Sequence, residues 1–202
     1  MSVAFDTVRT RRGGRSARVR AATLQAAREE LMDAGYARLS HLAVARLAEV
    51  DPATVYRRWP SRARLAIDAV VDLAETAVPL PDTGSLHGDL TQLHRTVAAL
   101  LKDPSQLRLF QAFSFAALED DPEVASALQR FWRGRFAAAG GIFDRAAERG
   151  EIRLVSDAPG LIEQLVGPLY LRALVTRGPL DRKLTEQSVK RTMVLAGAAG
   201  GE

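Results

Sequence analysis

Apolar positions recur every three or four residues through most of this chain, and no run alternates one by one as a strand would. The pattern predicts an all-α protein of about nine helices. Ala22, Ala26, Ala27 and Leu31 form a stripe over 16–34, and Gly35 is placed to end that helix. Val44, Ala45 and Ala48 give 41–48 a small apolar face. Leu65, Ala69, Asp72, Leu73 and Thr76 fall at helical spacing between Ser61 and Pro79. Leu86, Leu90, Leu93, Val97, Leu100 and Leu101 line the next helix. Beyond Pro104, Leu107, Leu109, Phe110, Phe113, Phe115 and Leu118 make a helix apolar nearly all round, so a central position is expected for it. Val124, Leu128, Phe131, Trp132, Phe136 and Phe143 line a long helix over 122–149. Gly140-Gly141 within it marks a place for close packing or a bend. A further helix carries Leu161, Ile162, Leu165, Val166, Leu169, Tyr170, Ala173 and Leu174 and stops at Gly178-Pro179. Leu184, Val189, Met193 and Ala196 face one side of the last, over 181–198.

The boundaries are written in capping residues. Asp-Pro occurs at 51–52, 103–104 and 121–122, each an N-cap followed by a first-turn proline whose missing N–H costs nothing. Capping explains the Asp120-Asp121 pair more simply than acid–base chemistry. Ser40 caps 41–48, and Asp157 caps the helix after it. Pro60 halts the helix begun at Pro52, because the residue before a proline is pushed out of the α region. What remains is about two turns bearing Thr54, Tyr56, Arg57 and Arg58. A helix that short needs a scaffold. With the helix before it and the turn at Glu49-Val50, it describes a helix-turn-helix.

Charge sharpens this picture. Up to Arg64 the chain holds thirteen of its 28 basic residues and six of its 24 acids, a net of +7; the rest carries −3. A basic front on a mildly acidic body fits a polyanion-binding module joined to a non-binding one. Residues 1–15, with Arg9, Arg11, Arg12, Arg15 and Gly13-Gly14, read as a flexible basic arm, 16–62 as the DNA-binding domain and 63–202 as a helical body. The chain has no Cys, so it has no disulfide, thiolate metal site or Cys nucleophile. Its three histidines lack metal-ligand spacing: His87 and His94 lie two helical turns apart. No metal, cofactor or catalytic residue is expected. There is no apolar leader and no membrane-length apolar run, so a cytoplasmic protein is expected.

Gly35-Tyr36, Leu39-Ser40, Val44-Ala45, Ala48, Val50, Thr54-Val55-Tyr56, Trp59, Ser61-Arg62 and Leu65 together resemble the DNA-binding domain of the tetracycline-repressor (TetR) family, over residues 16–70. There are departures. Glu49 stands where such families place Gly, at a cost of roughly 1 kcal/mol for an αL conformation. Arg62 stands where Lys is commoner, and Thr23 where a large aliphatic residue is usual. The resemblance implies a second, helical domain for ligand binding and dimerisation, with the last two helices pairing across the dimer.

The expected DNA contacts are Arg12, Arg15, Ser40, His41, Thr54, Tyr56, Arg57, Arg58, Ser61 and Arg62. Either Arg57 or Arg58 reads a guanine edge; Ser40, His41, Ser61 and Arg62 meet phosphate. Val55 and Trp59 anchor the recognition helix. Seven of the twelve aromatics fall between Phe110 and Phe143. Phe110, Phe113, Phe131, Trp132 and Phe136 are the expected pocket for a small, mostly hydrophobic effector. Leu161, Leu165, Leu169, Leu184 and Met193 are the expected homodimer face. The partners are then an approximately palindromic duplex DNA, a second copy and a small-molecule effector, with no membrane. Two other readings compete: a DNA-binding regulator controlled by a protein partner, and a helical enzyme or acyl-carrier-type interaction protein, against which the missing nucleophiles and the basic front both count.

Overall fold

The computed structural model describes residues 9–77 and 80–197, with the side chains of 9–13 and 73–77 also outside that description. The described residues are all helical, without strands: α1 (Arg9–Ala34), α2 (His41–Leu47), α3 (Pro52–Arg58), α4 (Arg62–Ala77), α5 (Leu86–Lys102), α6 (Pro104–Ala116), α7 (Pro122–Glu148), α8 (Ala158–Tyr170) and α9 (Arg182–Leu195). A 3-10 turn, Tyr36–Arg38, follows α1, and a π-helical turn, Leu171–Thr176, continues α8. The predicted caps at Ser40, Asp51, Asp103, Asp121 and Asp157 all accept from backbone N–H groups of the first turn, and Asp181 does the same for α9.

Two findings correct the expected start of the chain. α1 begins at Arg9, not Ser16, so part of the expected arm is helix. Gly13 and Gly14 cost about 1 kcal/mol each in a helix, offset as an already nucleated helix gains one hydrogen bond per added residue. Residues 1–8 lie outside the described residues. The buried stripe of α1 is Thr23, Leu24, Ala26, Ala27 and Leu31, while Ala22 is exposed. Thr23 fits this core because its hydroxyl donates to the carbonyl of Val19 at 2.8 Å.

α1 to α4 close around Leu24, Leu31, Val44, Val55, Trp59 and Leu65. That core runs on into α6 and the start of α7 through Leu109, Phe113 and Val124. α6 is therefore shared between the front and the body, but it is not buried all round: Phe115 is exposed, as is Leu118 just beyond its end. One face fills the core, and Phe115 lies outside it against the ring of Tyr36. A second core joins α5, the latter half of α7, α8 and α9 around Leu90, Ile142, Phe143, Leu165 and Leu169. Gly140 permits the close crossing of α7 and α8, since a Cβ there would sit 3.1 Å from that of Ala158.

Polar contacts pin the front to the body at the α6–α7 corner. Arg64 Nε donates to Asp121 at 2.7 Å, and Arg64 Nη1 lies 2.7 Å from Glu123. That pairing holds the Asp121 carboxyl below its ordinary range. Arg108 donates to the carbonyls of Met32 and Asp33 at 2.5 and 2.6 Å, which satisfies the open end of α1. The Tyr36 hydroxyl donates to Glu119; burial first, and that bond second, push its pKa up to about 12.

Candidate nucleic-acid interface

The helix-turn-helix stands on buried anchors. Val55 of α3 and Trp59, the residue that caps its end, are sealed in the core, and Trp59 Nε1 donates to Asp68 of α4 at 2.9 Å. His41 Nε2 donates to the Trp59 carbonyl at 2.8 Å, and its ring stacks on Tyr56 with centroids 4.4 Å apart. The turn between α2 and α3 takes the αL conformation at Glu49, φ 53°. Glu49 N donates to Arg46 O, and Val50 N donates to Ala45 O, the paired bonds of a Schellman end. The same pair closes α7, where the αL residue is Gly150. Glu49 therefore does a glycine's work without distorting the turn.

These anchors fix which side chains face outward. Tyr56 and Arg57 are exposed, Thr54 is half-buried beside them, and Arg57 has no hydrogen bond or ion pair with another described residue. Arg58 differs: its guanidinium donates to the carbonyl and hydroxyl of Ser16 at 3.2 and 2.8 Å and lies over the Trp59 ring. Ser40 and Ser61 each cap the helix that follows them, with Ser40 exposed and Ser61 half-buried. Arg15 is exposed on α1. The side chain of Arg12 lies outside the described residues.

Two expected contacts are corrected. His41 is buried and committed to Trp59, so it is a strut under Tyr56 and not a phosphate contact. Arg62 turns toward the body: it lies 4.5 Å over the Tyr36 ring and 3.7 Å from Glu119, and donates to the Ala37 carbonyl. A helix-start position alone could not show this, because Glu119 is far away in sequence.

The expected effector and dimer residues also divide. Phe113 is buried and stacks on Phe131 at 5.0 Å, and Phe131 lies edge-on to Trp132 at 5.1 Å. Phe110 meets Tyr170 at 5.5 Å. Trp132 and Phe136 instead line an open groove of about 600 Å3 between α7 and α8. Sequence reasoning missed Tyr170 as part of this cluster, since it sits on α8 inside an ordinary apolar run. Leu161, Leu165, Leu169 and Leu184 are buried in the subunit's own core, with Leu165 and Leu169 at 0 % exposure, and Met193 packs half-buried against it. The four leucines are therefore not a face open to a second copy, while Met193 keeps part of its surface exposed. α5, α8 and α9 bury one another's stripes, so at these four leucines helical spacing marked the subunit's own core.

Buried anchors beneath a short, outward-facing basic helix define a helix-turn-helix DNA-binding module carried on a helical body. Residues 24–69 match the model of bacterial regulatory proteins of the tetR family, and residues 80–192 match that of the tetracyclin repressor-like C-terminal domain. The chain belongs to the TetR family of DNA-binding transcriptional regulators, a non-enzymatic family. It is 31% identical over 183 residues to the HTH-type transcriptional regulator AqdR of Rhodococcus erythropolis, covering 91% of this chain and 86% of that one. It is also 31% identical over 170 residues to the DNA-binding transcriptional repressor TetR of Mycobacteroides abscessus, covering 80% and 84%. Among solved structures, the TetR family transcription regulator SCO0332 superposes with a TM-score of 0.74 at 32% identity, over 90% of this chain and 98% of that one. No helix among the described residues is long and apolar enough to cross a membrane.

Proposed function

We propose that this protein is a cytoplasmic, homodimeric repressor that leaves its operator when a small, mostly hydrophobic molecule binds the body. The observation that carries DNA recognition is the exposed pair Tyr56 and Arg57, with Thr54 half-buried beside them, above the buried Val55 and Trp59. Arg57 reads a base edge, and a bidentate pair with guanine is worth roughly 1–3 kcal/mol of discrimination. Tyr56, braced on His41, meets phosphate, as do Ser40 and Ser61. Arg12 and Arg15 reach the backbone or the adjacent minor groove. The similarity to the DNA-binding transcriptional repressor of Mycobacteroides abscessus supports the direction of control.

The dimer face lies on the outer side of α8 and α9. Gln164, Leu171 and Val175 are exposed in one line through α8 and its π-helical turn, and Val194 and Leu195 are exposed at the end of α9. Leu171, Val175 and Val194 are 53, 71 and 68 % exposed, apolar area that a second copy would cover. A two-fold dimer calls for an approximately palindromic operator.

The test is selection of bound duplexes from random sequence, followed by Arg57→Ala and Arg58→Ala on the selected site. Arg57→Ala should relax base preference at one position in each half-site. Arg58→Ala, which loses its hold on Ser16, should weaken all duplexes about equally. Equal loss of preference from both variants would contradict the assignment of Arg57.

A further inference from the structure

The turn between α6 and α7 holds four acids in five positions, Glu119, Asp120, Asp121 and Glu123. Three of them grip the front, and Asp121 has two tasks at once. It caps α7, accepting from the backbone N–H groups of Glu123 and Val124 at 2.9 and 3.4 Å. It also accepts from Arg64 Nε at 2.7 Å and Nη2 at 3.1 Å, one nitrogen to each carboxylate oxygen. Arg64 Nη1 lies 2.7 Å from Glu123, so every guanidinium nitrogen is engaged. Two residues earlier, Arg62 lies 3.7 Å from Glu119 and over the Tyr36 ring, while Tyr36 donates to Glu119.

Arg64 stands on the first turn of α4, close behind the recognition helix. One turn further along α4, Asp68 accepts from Nε1 of Trp59, the residue that caps the end of α3. A continuous line of polar contacts therefore runs from α3 through α4 to the start of α7. The apolar contacts beside it, through Leu109, Phe113 and Val124, are non-directional. They resist separation of front and body more than a slide or twist between them. A forked guanidinium–carboxylate pair is directional, so it fixes the angle. The Arg64 and Asp121 side chains are 30 and 16 % exposed, so the pair is a weak source of stability and its consequence is geometric.

We propose that this acidic corner fixes the tilt of the recognition helix on the body, and that Asp121 is thereby a positioning residue that sets which half-site spacing the protein accepts. This rests on the two-fold dimer reading above. In such a dimer each base pair added between half-sites moves one of them by about 3.4 Å and turns it by roughly 35° about the duplex axis. A stiff front rejects the shifted site, and a loosened front follows it.

The variant that tests this is Asp121→Asn, which keeps a capping side chain but removes the charge that Arg64 holds. Asp103→Asn is its control, because Asp103 caps α6 in the same way and has no ion pair with another described residue. Affinity is measured in the full-length protein for a selected palindrome, as selected and with base pairs added at its centre. The wild type and Asp103→Asn should each lose about tenfold for one added pair, whereas Asp121→Asn should lose about threefold or less. Base preference inside each half-site should stay unchanged. A wild-type spacing profile from Asp121→Asn, or equal flattening by Asp103→Asn, would overturn the proposal. The tilt is also read without DNA. The chain has no Cys, so Leu47→Cys on α2 and Asp144→Cys on α7, both exposed, take one spin label each. With labelled chains diluted in unlabelled protein, double electron–electron resonance should give one narrow distance, and a broader distribution once Asp121→Asn is added. An unchanged distribution would overturn the proposal whatever the DNA result. If the distribution broadens yet the wild type binds single half-sites as tightly as palindromes, the dimer reading fails and the spacing role with it, while the corner's hold on the tilt stands.

Discussion

Glu49 and His94 show what single residues cost and provide. Glu49 holds φ 53° at the helix-turn-helix turn, where an L side chain is strained by roughly 1–2 kcal/mol. Glycine would relieve that strain but lose about 0.4–1 kcal/mol to unfolded-chain entropy. Glu49→Gly should therefore stabilise the fold slightly, by roughly 0.5–1 kcal/mol, read as a small rise in Tm with DNA binding retained. A fall in Tm would show that the Glu49 side chain supports the turn. His94 is fully buried on α5, and neither ring nitrogen has a hydrogen-bond partner among the described residues. Burial lowers its pKa from 6.5 to about 4, so the folded protein keeps it neutral. The unfolded chain takes up the proton first as pH falls, so stability is lost from about pH 6.5 down toward 4. His94→Leu should flatten thermal unfolding between pH 6.5 and 5, above the ordinary carboxylate range. It should also raise stability at neutral pH by about 1 kcal/mol, since an unpaired buried polar group costs roughly 1–3. An unchanged pH profile would contradict this account of His94.

At the scale of elements, the legible parts were those set by neighbours in sequence. The caps at Asp51, Asp103 and Asp121 act within three residues, and the anchors Val55 and Trp59 lie in, or directly at the end of, the helix they hold. The recognition helix was readable for that reason. Arg58 and Arg62 were not, because Ser16 and Glu119 divert them from 42 and 57 residues away. The groove was only half legible, since Trp132 and Tyr170 meet across two helices. The stripes of α8 and α9 were legible as stripes, but spacing does not say whether a core or a partner covers them. Burial decides: Leu165 belongs to the core, and Leu171 faces out. Leu171→Glu with Val194→Glu should yield folded monomers by sedimentation, with operator affinity reduced. Leu165→Glu should unfold the subunit by several kcal/mol, since it buries an unpaired charge. A folded Leu165→Glu monomer would return the interface to the inner stripe.

Across the whole molecule, charge and packing divide the work. The front carries +7 and the recognition helix; the body carries −3 and the groove. They are joined by a shared core through α4 and α6, and by Arg64 to Asp121, Arg108 to the end of α1, and Tyr36 to Glu119. A ligand that displaced α7 would act on the front through these contacts. To release DNA it must favour the non-binding form, and DNA must then weaken ligand binding by the same factor. The most direct test of the central claim is fluorescence-anisotropy titration of a selected duplex over a range of salt. The account predicts two chains per palindromic duplex, a log–log slope near −0.9 for each phosphate neutralised, and a large loss of affinity when either half-site is scrambled. Binding indifferent to both salt and half-site sequence would contradict it.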